Sequence, residues 1–291
     1  MRRFSLVEPS SAQEASQFLT QYGDDAQVYA GGTELLMLLK LGILHCEYLI
    51  ALKRIPNLDA IRYDQNSGSI HIGALATHRD VEHSPVMLKH LPTFSMMEKD
   101  VANVRVRNVG TIAGNLCFAD PYSDPGTLLT CLQAEVILQR NDQQRTLPID
   151  SFFVDAYSTS REDDELLVEI KIPPLPSHSA VSYETFRFYE RPSANVAVLA
   201  SLGSGDQKDL ELTIAMGAVP PVPTRLDTVK LNSDIDPNKA AEAADEACQS
   251  RIQDMDLLED FHGSPEYKRN LLRVLLRRAT ASAVANARTQ M

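Results

Sequence analysis

Neither a helix nor a sheet can run through Pro173-Pro174-Leu175-Pro176-Ser177-His178-Ser179. Each proline fixes φ, removes a backbone donor and pushes the preceding residue to extended geometry. This stretch divides the chain, and the expected organisation is a first domain over 1–176 and a second over 177–291. Upstream, Ser11-Ala12-Gln13-Glu14 reads as a capping box, and Ala15, Phe18, Leu19 and Tyr22 follow with the spacing of an amphipathic helix. Gly23-Asp24-Asp25 ends it. Ala26 to Ala30 then reads as a strand, Glu34 to Leu41 as a helix, and Glu47 to Ala51 and Ser69 to Ile72 as strands, with a turn at Asp64 to Gly68. Downstream, Ala180 to Tyr189, Val196 to Leu202 and Leu210 to Ala218 read as strands, with a turn at Gly203-Ser204-Gly205-Asp206. Lys239 to Ser250 and Glu266 to Ala285 read as helices. Both domains are therefore expected to be α+β. Hydrophobic residues at 44% against 23% charged supply a core for domains of that size.

Several classes of function are disfavoured at once. Lys and Arg number 28 against 39 Asp and Glu, a net charge of −11, which suits neither nucleic acid nor an anionic membrane. Cys46, Cys117, Cys131 and Cys248 form no CxxC pair, so a zinc site, an iron–sulfur cluster or a disulfide framework is not indicated. His45, His71, His78, His83 and His90 fit no metal-ligand spacing and read as surface or structural. Ser123 and Ser193 lack a GxSxG elbow. Glu162-Asp163-Asp164-Glu165 reads as a solvated loop, and Arg273, Arg277 and Arg278 as the solubilising side of the last helix. No apolar run approaches the ~18 residues of a membrane span. The first residues lack a secretory apolar core, so a soluble cytoplasmic protein is expected.

Two glycine-rich segments carry the chemistry. In Val28-Tyr29-Ala30-Gly31-Gly32-Thr33-Glu34-Leu35 a strand delivers two glycines directly to a helix start. Without Cβ atoms a phosphate can approach the backbone, and consecutive N–H groups can converge on it, with the Thr33 hydroxyl beside them. Neither GxGxxG nor GxxxxGK[ST] is present, and taken alone such a pair is more often a tight turn. The second segment runs from Arg107 to Pro125 and contains Gly110, Thr111, Gly114, Asn115, Asp120, Ser123 and Asp124. It reads as a neutral loop that could clamp a diphosphate through amides and hydroxyls, reserving a carboxylate for a ribose or ribityl hydroxyl. Taken alone, it is more often an ordinary Gly/Asn/Asp loop. The pair together favours a dinucleotide, which needs more than one anchor.

These segments resemble the paired FAD motifs of the medium, flavin-carrying subunits of molybdenum hydroxylases, the xanthine dehydrogenase and carbon monoxide dehydrogenase type. The motifs run roughly AGGT[DE]L and RN.GT[IV]GGN, the latter closing on an aspartate. Here they read Ala30 to Leu35 and Arg107 to Asn115, closing at Asp124. Ile214 to Leu226 and Ser264 to Ala279 are similar to the family's C-terminal strand-and-turn and closing helix, so the likeness covers nearly the whole chain. It implies an FAD-binding domain of the PCMH/vanillyl-alcohol-oxidase type, in subdomains of about 1–55 and 56–176, followed by a smaller α+β C-terminal domain. FAD would be held by Val28, Tyr29, Ala30, Gly31, Gly32, Thr33, Glu34, Leu35, Thr111, Ile112, Gly114 and Asn115. Asp124 would hold a cofactor hydroxyl, the Leu167 backbone would lie along the flavin ring, and Arg187 would stand where relatives carry a lysine near it. No acid–base catalytic residue and no metal are implied in this chain.

The resemblance further implies two partners: a small subunit with two [2Fe–2S] clusters and a large molybdopterin subunit, arranged as a dimer of heterotrimers. Electrons would reach FAD from the small subunit and leave to an external acceptor. Two departures stand out: Ala113 replaces a motif glycine, and Val196 stands where some relatives place an aromatic residue over the flavin. Two alternatives keep the fold, namely a flavin-free structural or maturation subunit and a stand-alone FAD oxidoreductase. The intact glycines and Asn115 to Asp124 argue against the first, and the short chain after the prolines against the second.

Overall fold

The computed structural model describes residues 2–203, 209–258, 260–261 and 263–290. Contacts divide the chain into two units, Met1–Ala119 with Ala134–Ile172, and Asp120–Gln133 with Pro173–Met291. A single cut at the prolines therefore leaves out one excursion: residues 120–133 join the second unit, through strand contacts that no local pattern announces.

The first unit holds β1 (Ser5–Val7), α1 (Ala12–Tyr22), β2 (Ala26–Tyr29), α2 (Leu35–Leu41), β3 (Tyr48–Ala51), β4 (Ile61–Tyr63), β5 (Ile70–Gly73), α3 (His78–His83), α4 (Pro85–His90), α5 (Pro92–Lys99), α6 (Val104–Arg107) and α7 (Ile112–Phe118). After α8 (Pro125–Cys131), which belongs to the second unit, come β6 (Glu135–Arg140), β7 (Gln143–Pro148), β8 (Phe153–Asp155), β9 (Ser158–Thr159) and β10 (Leu166–Ile172). Strands β1–β3–β2 form a parallel sheet, and β4–β5–β10–β6–β7 an antiparallel one. Helix α1 buries Ala15 and Leu19 against Ile50, Leu166 and Val168, which draws both sheets onto one core. Its cap differs from the expected box. Ser11 accepts the Glu14 N–H at 3.1 Å, but the Glu14 carboxylate turns back to the N–H and hydroxyl of Ser10, both at 2.7 Å.

The charge run at 162–165 is not simply solvated. Glu165 is buried and takes Arg145 in a two-point pair at 2.6 and 2.7 Å, while Asp164 and Glu162 both engage Arg140. An isolated buried carboxylate is costly, and the fork of an arginine offsets that cost.

The second unit places β11 (Ser179–Phe188), β12 (Arg191–Leu202), β13 (Asp209–Gly217), β14 (Thr224–Arg225) and β15 (Val229–Asn232) in one antiparallel sheet. Helices α9 (Pro237–Gln253) and α10 (Pro265–Thr289) cover it. The expected turn at Gly203 to Asp206 lies, from Ser204 on, outside the described residues. Leu272, Leu275, Leu276, Ala279 and Ala283 bury one face of α10 in the core. Its arginines do more than solubilise. Arg273 donates to both oxygens of the buried Asp245 on α9, at 2.8 and 2.9 Å, and Arg277 donates through Nε at 2.7 Å.

Burial alone would raise the pKa of Asp245, but hydrogen bonds from Arg273 and then Arg277 hold it below the usual carboxylate value. A depressed folded pKa means stability that is present above the ordinary carboxylate pKa and lost as pH falls through the folded value. Asp245→Asn should therefore cost about 2 kcal/mol at neutral pH. It should also flatten the acid limb of a denaturant-unfolding pH series, and an unchanged acid limb would remove Asp245 from that role.

Candidate functional site

In the first unit the two glycine segments touch. The carboxyl end of β2 hands the chain to Gly31, at the edge of a parallel sheet where α/β folds gather their ligands. A Cβ on Gly31 would stand 2.1 Å from the carbonyl oxygen of Val109 and 2.8 Å from the Cα of Gly110, so only glycine fits. Gly32 has φ +74°, and a Cβ there would meet the Tyr29 ring at 2.3 Å. Among the described residues, no protein acceptor takes the N–H groups of Gly31, Gly32 or Thr33. Glu34 leads into α2 without a side-chain cap, and Leu35, its first residue, packs with Leu39 and Leu49.

The second segment is not the neutral loop that its composition suggests. Asn103 caps α6, which closes with a bond of 2.7 Å from the Gly110 N–H to the carbonyl of Val106. Thr111 then caps α7, its hydroxyl accepting the Gly114 N–H at 3.0 Å. A Cβ on Gly114 would crowd that hydroxyl at 2.8 Å. The helix forms because an extended Thr111 satisfies an otherwise orphaned donor of the first turn. Ile112 is fully buried, so only its backbone can face a ligand, whereas Gly114 is exposed and Asn115 half-buried. Ala113 takes a right-handed helical position where a methyl group is tolerated. Two backbone bonds fix the segment: the His78 N–H to Gly110 and the Ile112 N–H to Ala76, both 3.0 Å. Arg107 is a brace, paired with Glu82 and donating to the carbonyls of Val101 and Ala102.

Leu167 lies in β10 opposite Leu138, just before the ladder shifts register between Leu167 and Glu169. Its side chain is buried, which leaves the backbone as its functional part.

In the second unit Asp124, 3% exposed, immediately precedes α8. Its Oδ1 accepts from the Tyr183 hydroxyl at 2.6 Å and lies 3.0 Å from Nη2 of Arg187. Burial and then the Asp124 charge push the Tyr183 phenol well above its usual pKa, so it stays a neutral donor. The Nε, Nη1 and Nη2 atoms of Arg187 are shielded from solvent and make no hydrogen bond; the approach to Asp124 is an ion contact only. Val196 is fully buried inside the sheet-and-helix core, so it presents no face to a flavin. Strand alternation turns Val196 inward with Val198 and Ala200, in keeping with the departure noted at this position. Burial raises the thiols of Cys117 and Cys248 to about 11 and Cys131 to about 12, as inert packed groups. Among the described residues no cluster of metal ligands occurs, and no helix is long and apolar enough to cross a membrane.

Residue reading missed Tyr183 and placed His78 among the bland histidines. Tyr183 and Arg187 are four apart in one strand, an even spacing that signals a shared face.

The family described as the FAD-binding domain in molybdopterin dehydrogenase matches residues 2–175, and the CO dehydrogenase flavoprotein C-terminal domain matches 190–283. The chain belongs to this family of FAD-binding medium subunits. The carbon monoxide dehydrogenase medium chain of Hydrogenophaga pseudoflava is 30% identical over 97% of this medium subunit and 98% of its own length. The glyceraldehyde dehydrogenase medium chain of Sulfolobus acidocaldarius is also 30% identical, over 95% and 96%. A solved structure of carbon monoxide dehydrogenase of Hydrogenophaga pseudoflava, lacking the Mo-pyranopterin moiety, superposes with a TM-score of 0.86 at 31% identity, covering 98% of both chains. The medium subunit is thus an oxidoreductase component with an FAD-binding domain, and its relatives imply small and large subunits beside it.

Proposed function

We propose that this medium subunit holds FAD through the paired glycine segments and relays electrons from an iron–sulfur subunit to an external acceptor. The observation that carries the proposal is the close approach at Gly31: it packs backbone to backbone against Val109 and Gly110 with no room for a Cβ, and the N–H groups of Gly31, Gly32 and Thr33 are left for an anion. Val28, Tyr29 and Ala30 would set the strand end, and Glu34, Leu35, Thr111, Ile112, Gly114 and Asn115 would complete the diphosphate grip. Leu167 would offer its backbone to the ring. From the second unit, Asp124 would take a cofactor hydroxyl. Arg187, whose donors lack acceptors in the protein, would supply a lasting positive charge that favours the reduced ring. FAD, when bound, supplies two-electron chemistry to one-electron partners.

The same family carries relatives named for carbon monoxide and for glyceraldehyde, so we assign the organic substrate to the large molybdopterin subunit and not to this chain. The assembly we propose is a dimer of heterotrimers, with the small subunit holding two [2Fe–2S] clusters. The domain limits we propose are 1–176, with parts at about 1–55 and 56–176, and 177–291, residues 120–133 packing with the second. Four free cysteines support the reducing cytoplasm as its compartment.

The test is the visible spectrum of the purified chain after incubation with FAD and desalting. Stoichiometric flavin is the expected result. A chain that stays colourless, alone and co-expressed with its small and large partners, would sink the proposal.

A further inference from the structure

We infer that the buried His78–Glu98 pair is a positioning device for the glycine wall of the diphosphate cradle, an inference that rests on the FAD reading above. Nδ1 of His78, at the start of α3, lies 2.6 Å from Oε2 of Glu98, near the end of α5. Their side chains are 3% and 0% exposed. The His78 ring turns its Cδ2 edge to Gly110: a Cβ built on Gly110 would stand 3.2 Å from that carbon and 3.5 Å from Cγ2 of Thr33. Gly110 in turn backs onto Gly31, where a built Cβ would come within 2.8 Å of the Gly110 Cα. Glu98 thus holds the His78 ring, the His78 N–H holds the Gly110 carbonyl, and Gly110 leaves no room for a side chain between it and the first glycine of the cradle.

Stability does not account for the pair. Two polar groups of this kind lose their hydration on burial, and apolar side chains of similar volume commonly serve packing as well or better. What the pair offers is orientation. A carboxylate that accepts from Nδ1–H fixes the rotation of the imidazole, whereas a phenyl or leucyl group has no such anchor. The ring plane then sets the depth at which Gly110 rests and, through it, the place of the capping Thr111. The backbone carries the same message, since the His78 N–H holds the Gly110 carbonyl and Thr77 bridges Thr111. Arg107, paired with Glu82 on α3, braces the segment independently, so losing the His78–Glu98 bond should shift the wall without unfolding it.

The test titrates FAD, ADP and riboflavin into the full-length chain and into His78→Phe, Glu98→Leu and Glu98→Gln variants. ADP carries the diphosphate and riboflavin does not. We expect His78→Phe and Glu98→Leu to lose about tenfold in affinity for both FAD and ADP, the effect of one broken buried hydrogen bond, with riboflavin binding unchanged. Glu98→Gln, which still accepts from Nδ1–H, should bind like the parent. Parent-like FAD and ADP binding in the first two variants overturns the inference, and so does an equal loss for riboflavin, which would mark a general structural role. A parent chain that binds neither FAD nor ADP, alone and co-expressed with its small and large partners, overturns the FAD reading itself, a result visible before any variant is compared. Should Glu98→Leu fail to fold, His78→Gln decides by the same comparison: selective loss for FAD and ADP supports the inference, and parent-like binding overturns it.

Discussion

A Gly31→Ala chain should leave a desalting column without FAD while melting close to the parent. The added methyl group has nowhere to go: its carbon would lie 2.1 Å from the Val109 carbonyl oxygen and 2.8 Å from the Gly110 Cα, and both obstacles are backbone. The only relief is to part the two glycine segments, which are the walls of the cradle. Forcing an extra carbon into a tight contact costs about 3 kcal/mol, so FAD affinity should fall about a hundredfold. Because Gly31 and Gly32 are half-exposed and Val109 is exposed, most of that cost should appear in binding and little in stability. Equilibrium titration of FAD beside a thermal melt separates the two. If the alanine chain retains FAD with parent affinity, the Gly31 cradle is not where the diphosphate sits.

Asp124→Leu should destabilise the FAD-free protein by about 3–5 kcal/mol, the usual cost of leaving one partner of a buried charged pair alone. The carboxylate is 3% exposed and serves two groups through one oxygen, the Tyr183 hydroxyl and the Arg187 guanidinium. Removing it strands a shielded cation whose nitrogens already lack hydrogen-bond acceptors. Replacing Arg187 by Met in the same chain removes that stranded charge, so the double variant should be more stable than Asp124→Leu alone. Chemical denaturation of the three variants and the parent completes a double-mutant cycle. An Asp124→Leu chain as stable as the parent would show that Arg187 does not depend on this carboxylate and that the two residues act separately.

Both predictions rest on features that differ in how far the sequence reveals them. The glycine pair at Gly31-Gly32 and the Thr111 to Asn115 segment are legible because their constraints are local. A missing Cβ, a strand running into a helix, and a threonine three residues before a glycine all act within one or two turns of chain. The helical face of α10 is legible for the same reason, as Leu272, Leu275, Leu276 and Ala279 repeat with the period of the helix. Composition alone reads the second segment as a loop, because glycine and asparagine disfavour helix on average, whereas the Thr111 cap supports one here.

Sequence by itself therefore determined the two glycine segments and the α+β character of the chain. It also determined, through motif likeness, the family. Tertiary structure alone decided which side chains meet. Glu98 faces His78 across 20 residues, and Tyr183 reaches Asp124 across 59. Residues 120–133 join the second unit, Val196 turns into the core, and Arg273 and Arg277 close on Asp245. The physical reason is common to all of these. Local conformation is set by the sterics and hydrogen bonds of neighbouring residues, whereas the partner of a buried charge is set by sheet register and helix packing, which bring together residues with no short-range relation.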